Sequence, residues 1–471
     1  MTARLACPPA PGPLEGFAAL FDDLFGTLAQ RRGFREYLTG LLAPRDQNKT
    51  LTCLAGAEPV VGAQHPAVQR LQFFLSESTW DFEQVNARRL ALLLADPATA
   101  PHTQGVLVID DSADRKDGHA TAHVGHQWLG RYGKTEGGIV TVTTAWADEH
   151  VYYPLHAQPY TPAHHFPKGK ADPAFRTKLQ IGSALATQAR QVGVVFQAVA
   201  AEGAYGDHDA FRAELHVARL PFVMALKPHR GSWAYGPEAY TPVDAARALP
   251  WNGPEDPGCW IAVTRHFRDG HTSTWWAAEA HLGWWGPDGT TRLVVATTDP
   301  ARLPEKTTWY LATDLACPGS PREADSPYPA ADLAEIVRIY RIRTWIEQGY
   351  RQVKDQLGWA DFQVRSDTAI RRHQTLVTCA FSFCWGQWFT ERLVLERPDA
   401  RQDRQERGAR RSPAPLLATD TPRYPQLADP SDHIATLVAG LVGSAPTCTV
   451  ASPPRRRRRR TRPTPLSSTL T

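Results

Sequence analysis

Several features that would settle a protein's class at once are missing from this chain. Its seven cysteines (Cys7, Cys53, Cys259, Cys317, Cys379, Cys384 and Cys448) form no Cys-x-x-Cys pair, which argues against a structural zinc site. An odd, scattered set also fits reduced thiols better than a disulfide framework. No apolar run reaches the roughly 20 residues that a membrane span requires. The opening stretch, MTARLACPPAPGPLEG, lacks the apolar segment of a signal peptide. The expectation is a cytoplasmic protein with no membrane partner. Charge of one sign is scarce too: the net value is +4, which permits a nucleic-acid partner without arguing for one.

What is present is a globular composition, 42% hydrophobic and 21% charged, sufficient for a sizeable core. At 471 residues the chain is long enough for two or three units. Residues 1–100 read as a helical N-terminal domain. Helix-like apolar spacing runs from Phe17 to Leu42 and from Val68 to Leu94, and no convincing strand precedes Gly105. Residues 101–228 alternate strands and helices. GVLVIDD and VGVVFQAVAAE are short apolar runs that end in acid, and PFVMALKP is a third strand. Residues 229–325 are rich in Trp, Gly, Pro and Thr, with strand-like WIAVTRHF, TWWAAEA, TRLVVATT and TWYLATD, and read as a β-rich insertion. Residues 326–396 return to helices, with one strong helix expected over 329–357 and another over 368–393. Residues 397–471 form a low-complexity tail that includes Arg455 to Arg460, for which disorder is expected.

The strong helix carries a polar stripe. Tyr340, Arg343, Glu347 and Lys354 stand at offsets of 0, 3, 7 and 14. At about 100° per residue they fall near 0°, 300°, 340° and 320°, within an arc of about 60°. Ile339, Ile342, Ile346, Tyr350, Val353 and Leu357 centre about 90° away and can face a core. A carboxylate set between two cations suits a site that holds a metal and a phosphate together. The metal takes hard oxygen ligands; arginine grips phosphate through its fork and lysine as a point charge. By spacing alone, a solvated face with ordinary ion pairs fits equally well.

The series Y-(2)-R-(3)-E-(6)-K, with the flanking WIEQGYRQVKDQLGWADFQVRSDTAIRRH, resembles the signature of a group of bacterial insertion-sequence transposases of the DDE type. The resemblance covers roughly residues 17–395. It implies an α/β fold with a ribonuclease-H-like mixed sheet flanked by helices, a β-rich insertion subdomain and a helical N-terminal domain that binds transposon ends. It implies two further acids at strand ends. The first is in VLVIDDSADRKDG, where the family's acid followed by Ser or Thr favours Asp111, with Asp110 a second candidate metal ligand. The second is in AVAAEGAYGDHDAF, where Glu202 stands in the family's aspartate position, three residues before Tyr205. The longer side chain shifts the oxygens, so a remodelled site, substitution by Asp207, or a weakened enzyme are all open. Asp111, Glu202 and Glu347 are thus the expected catalytic acids. They would hold Mg²⁺ or Mn²⁺, two ions in the family, for phosphodiester cleavage and strand transfer by a 3′-hydroxyl. Tyr340, Arg343, Lys354, Lys116, Lys134 and Arg365 are the expected DNA contacts. The partners implied are transposon-end and target DNA, a homodimer in the DNA complex, and the bacterial nucleoid as location.

Some family members stack a base on a tryptophan of the insertion; Trp275, Trp276, Trp284 and Trp285 are the candidates by that resemblance. Arg32, Gln47 and Lys49 mark basic patches in the N-terminal region. Two rivals stay open: a transposase-derived DNA-binding protein without catalysis, and an unrelated metal hydrolase using His119, His123 and His126. The arginine run would bind any polyanion or remain a solvated tail.

Overall fold

The computed structural model describes residues 12–44, 48–56, 64–229, 231, 241–266, 272–303 and 307–395. Five helices come first: α1 (Pro13–Ala19), α2 (Leu28–Leu42), α3 (Leu51–Leu54), α4 (Pro66–Ser76) and α5 (Phe82–Ala95). Thr27 and Gln30 close a reciprocal capping box that starts α2. Phe21, Phe25, Phe34, Phe74 and Trp80 are buried between these helices.

Strands come next as β1 (Val106–Arg115), β2 (Gly125–Leu129), β3 (Lys134–Ala147) and β4 (Tyr152–Pro159). Then come α6 (Lys178–Gln191), β5 (Ala198–Ala201), α7 (Gly203–Gly206), α8 (Asp209–Val217) and β6 (Phe222–Ala225). β3 runs antiparallel to β1, and β4 antiparallel to β3, while β5 is parallel to β1 and β6 parallel to β5. The order β4-β3-β1-β5-β6, flanked by helices, is the expected ribonuclease-H-like arrangement.

After α9 (Pro242–Arg247), the Trp-rich stretch forms β7 (Ile261–His266), β8 (Thr272–Ala280), β9 (Arg292–Thr297) and β10 (Trp309–Thr313). These strands make a meander that joins the same sheet, with β10 antiparallel to β6, so that all ten strands are one sheet. Arg292 is fully buried and ties the meander to the chain that leaves it. It donates to the carbonyls of Leu315, Ala316 and Ala331 and pairs with Glu279. A buried guanidinium must satisfy its fork in this way or destabilise the fold.

The single helix expected over 329–357 is two: α10 (Leu333–Ile342) and α11 (Thr344–Asp355). The backbone tightens at Arg343, whose N–H bonds to Tyr340 and whose carbonyl accepts from Ile346, both three residues apart. α12 (Asp367–Leu395) then runs back across the N-terminal helices. Its Arg372 donates to the carbonyls of Leu75 and Trp80, and its His373 meets Tyr37 at 2.7 Å. Arg89 of α5, fully buried, donates to the carbonyls of Pro154 and Leu155 and to Ser382. One hydrophobic cluster therefore extends from Leu14 to Trp385 through helices and sheet alike. Among the described residues no helix is long and apolar enough to cross a membrane. Gln47 and the arginine run at 455–460 lie outside the described residues.

Candidate active site

β1 and β5 are parallel neighbours, and their register sets Ile109 beside Ala201. The next residues, Asp110 and Glu202, come together where β5 ends. The carboxyl ends of adjacent parallel strands are where open α/β sheets hold ligands. Glu202 leaves β5 as the N-cap of α7, its carbonyl accepting from the amides of Tyr205 and Gly206. A Cβ on Gly206 would collide with the Ala225 carbonyl oxygen of β6, so this turn needs glycine there.

Strand alternation separates the two aspartates. Ile109 and Asp111 face α6: Ile109 approaches Gly182, and the Asp111 carboxylate meets Lys178 Nζ at 2.5 Å. Asp110 and Asp114 face α11. Thr143, opposite Asp110 in β3, is bonded to the Tyr350 hydroxyl of α11, and Asp114 meets Lys354 of α11 at 2.9 Å.

Glu347 lies in the first turn of α11. Arg343 Nη2 touches Glu202 Oε1 at 2.9 Å and Glu347 Oε1 at 3.1 Å, so one nitrogen joins the acids from β5 and α11. Asp110, Asp111, Glu202 and Glu347 line one cleft of about 780 Å³, with Lys354, Tyr350, Arg351 and Asp355 of α11 and Trp128 and Arg131 on its other side. Four residues distributed over some 240 positions of sequence have converged.

The electrostatics of the cleft are those of crowded anions. Burial pushes the Asp110 pKa up to about 8, with further upward pressure from Asp111 and Glu202 and relief from Arg343. Arg343 itself is 7% exposed, and its Nε and Nη1 are buried without a hydrogen-bond acceptor. A divalent cation would relieve the repulsion at Asp110, and the donors present are the hard oxygens such an ion takes. The donor set fits the group. Among the described residues no three His, Cys, Asp or Glu side chains already close around one point. Arg343 and Lys178 hold the acids instead.

The other expected contacts are dispersed. Tyr340 is buried against the Trp309 ring at 5.0 Å, and burial pushes its hydroxyl up to about 12. Lys354 lies on the cleft but is engaged, bonded to the Ala113 carbonyl as well as to Asp114, whose second oxygen accepts from Trp359 Nε1 at 3.1 Å. Lys116 points elsewhere: its ammonium caps the carbonyls of Ala360 and Phe362 above the Phe362 ring, and burial lowers its pKa to about 8. Lys134 is exposed and pairs with Glu136, and Arg365 is exposed outside the cleft lining. In the N-terminal region Arg32 pairs with Glu36 on the surface. Lys49 is no surface cation: it is buried, donating to the carbonyls of Leu41 and Ala43. Asp207 turns to the Lys227 amide and does not line the cleft.

The three histidines do not gather. His119 is exposed in a loop and His126 is exposed on β2. His123 is buried, bonded to Thr161 and Asp367. Of the insertion tryptophans, Trp275 packs on Trp309, Trp276 on Trp251, Trp285 under Arg212, and Trp284 is 84% exposed. None of them lines the cleft; Trp128, which sequence reasoning missed, does. Only the alternation GHQWL, with buried Gln127 and Leu129 around an exposed indole, hinted at it.

Comparison with known proteins agrees with this geometry. Residues 20–280 match the family model described as DDE superfamily endonuclease. The chain is 28% identical over 352 residues to the probable transposase for insertion sequence element IS701 of Microchaete diplosiphon, an alignment covering 74% of this chain and 81% of that one. With more than half its length matched in this way, and acids from β1, β5 and α11 meeting at the strand ends, this chain belongs to the DDE superfamily endonucleases.

Proposed function

We propose that the chain is a DNA transposase that cuts the ends of a mobile element and joins their 3′-hydroxyls to target DNA, with Asp110, Glu202 and Glu347 as its catalytic acids. Endonucleases of this superfamily act on DNA and use divalent metal ions. The observation that carries the reading is the shared cleft of these acids, drawn from β1, β5 and α11. Asp110 is preferred to Asp111 because it shares a strand face with the α11 contacts, whereas Asp111 pairs with α6.

The three carboxylates would hold Mg²⁺ or Mn²⁺, two ions in the fullest form. Such ions, when bound, polarise the scissile phosphate and stabilise the attacking and leaving oxygens. Arg343 then has work of its own. Its buried, unsatisfied donors at the cleft wall suit a phosphate oxygen, and a guanidinium fork matches that partner bidentately. Lys354 adds positive charge on the same wall, with Asp114 orienting it. Tyr340 supports Arg343, whose guanidinium carbon lies 5.4 Å from its ring centre. Glutamate at 202 keeps a carboxylate in contact with the site through Arg343, and the reading is of an active enzyme. Recognition of element ends by the helical region before residue 100, and a dimer formed with DNA, complete it.

The test is cleavage of supercoiled plasmid with Mn²⁺. Wild-type protein is expected to nick and linearise it, and Glu347→Gln to abolish this. Absence of cleavage by correctly folded wild-type protein would favour a DNA-binding role alone. Loss of cleavage on replacing His119 and His123 with alanine would favour the hydrolase.

A further inference from the structure

The wall of the cleft opposite α11 is built from β2 and the turn after it. Gln127 and Leu129 are buried, which leaves Trp128 on the outer face of the strand. Its side chain is 60% exposed and lines the cleft that holds Asp110, Glu202 and Glu347. Tyr132, 45% exposed, lies in the same turn. An open indole of this size is costly to leave in water when nothing covers it. Its Nε1 makes no hydrogen bond among the described residues. Cations flank it. Arg131 reaches across the mouth to Asp355 of α11 at 3.7 Å, a loose and exposed pair, and Arg351 lines the same wall as Asp355 with no ion-pair partner among the described residues.

We propose that Trp128 is a stacking platform for an unpaired nucleobase next to the scissile phosphate, with Arg131 and Arg351 on the neighbouring phosphates. This rests on the transposase reading for its substrate and deepens it by naming the form of DNA the cleft takes. The chemistry selects a nucleic acid. The acids on the floor need a phosphodiester, an aromatic face beside them accepts any base without sequence preference, and the rim cations balance the backbone charge. Base-paired duplex hides its ring faces in the stack, so the indole distinguishes unpaired from paired DNA.

The experiment measures binding by the full chain to three duplexes of one sequence at fixed salt: fully paired, with a central run of unpaired thymines, and with the same run replaced by abasic sugars. Wild-type protein is expected to bind the thymine duplex about tenfold more tightly than the abasic one. Trp128→Ala should erase that preference, and Trp128→Phe should keep most of it. Arg351→Ala should weaken binding to all three and reduce the salt slope by about one. The proposal is overturned if Trp128→Ala keeps the wild-type preference, or if wild-type protein shows none. Plasmid cleavage with Mn²⁺ by the same preparations separates the two levels. Cleavage that Glu347→Gln abolishes, together with an unchanged preference in Trp128→Ala, leaves the transposase reading standing and removes the stacking role. A wild-type protein that neither binds nor cuts removes both.

Discussion

Three carboxylates within one cleft repel one another, and each residue around them answers that repulsion. Asp110 does so by holding its proton up to a pH of about 8. Asp111, a neighbour in sequence, is instead neutralised by Lys178 on the far face of β1. This difference separates the two by experiment. Asp110→Asn is expected to lower Mn²⁺-dependent DNA cleavage on the order of a hundredfold or more, the size of effect seen when a preorganised electrostatic partner of the reacting group is lost. Asp111→Asn should cost far less, since its partner lies outside the α11 face. Equal losses in initial cleavage rate would refute the face assignment. Sequence alone favours Asp111 because VLVIDD is apolar on both faces and offers no alternation to tell which acid points which way. Glu347 and Arg343 are readable from helical spacing, since (i, i+4) residues meet on a helix surface. That Arg343 also reaches Glu202 is not, because that contact depends on where α7 starts.

At the scale of elements, the site depends on α12 pinning the N-terminal helices to the sheet. His373 in the middle of α12 is fully buried. Its Nε2 lies 3.2 Å from the carbonyls of Gly358 and Trp359, so that nitrogen carries the proton, and Nδ1 accepts from Tyr37. Burial lowers its pKa to about 4, and that of His156 on β4 likewise to about 4. Both folded values lie below the ordinary value of about 6.5. The unfolded chain therefore binds more protons between pH 6.5 and 4. Stability is fully present above that window and is lost as pH falls through it, on the order of 3 kcal/mol for a fully buried group. Thermal melts should show Tm dropping steeply from pH 7 to pH 4.5. His373→Gln should be less stable at pH 7 yet show a shallower drop. A slope unchanged by His373→Gln would contradict this. Helices and strands are mostly legible as periodicities. The break at Arg343 is not, since a tightened turn is imposed by packing on both sides rather than by the residues in it.

For the molecule as a whole, the meander β7–β10 extends the catalytic sheet, and a single core joins the N-terminal helices to it. The β character of that segment can be read from its sequence. Its continuity with β6 cannot, because pairing of β10 with β6 joins residues some 90 positions apart and no local pattern records it. Trp128 is hidden for the same reason: its role is defined by a cleft that exists only when β2, β5 and α11 are assembled. Catalysis here requires that assembly to place side-chain oxygens where one divalent site can form. Anomalous diffraction from crystals of the full chain equilibrated with Mn²⁺ reads this directly. Manganese is expected among Asp110, Glu202 and Glu347, with Arg343 displaced from at least one of the two glutamates. Manganese bound elsewhere, with Arg343 still joining Glu202 to Glu347 and the cleft empty of it, would contradict a metal-dependent site built from these acids.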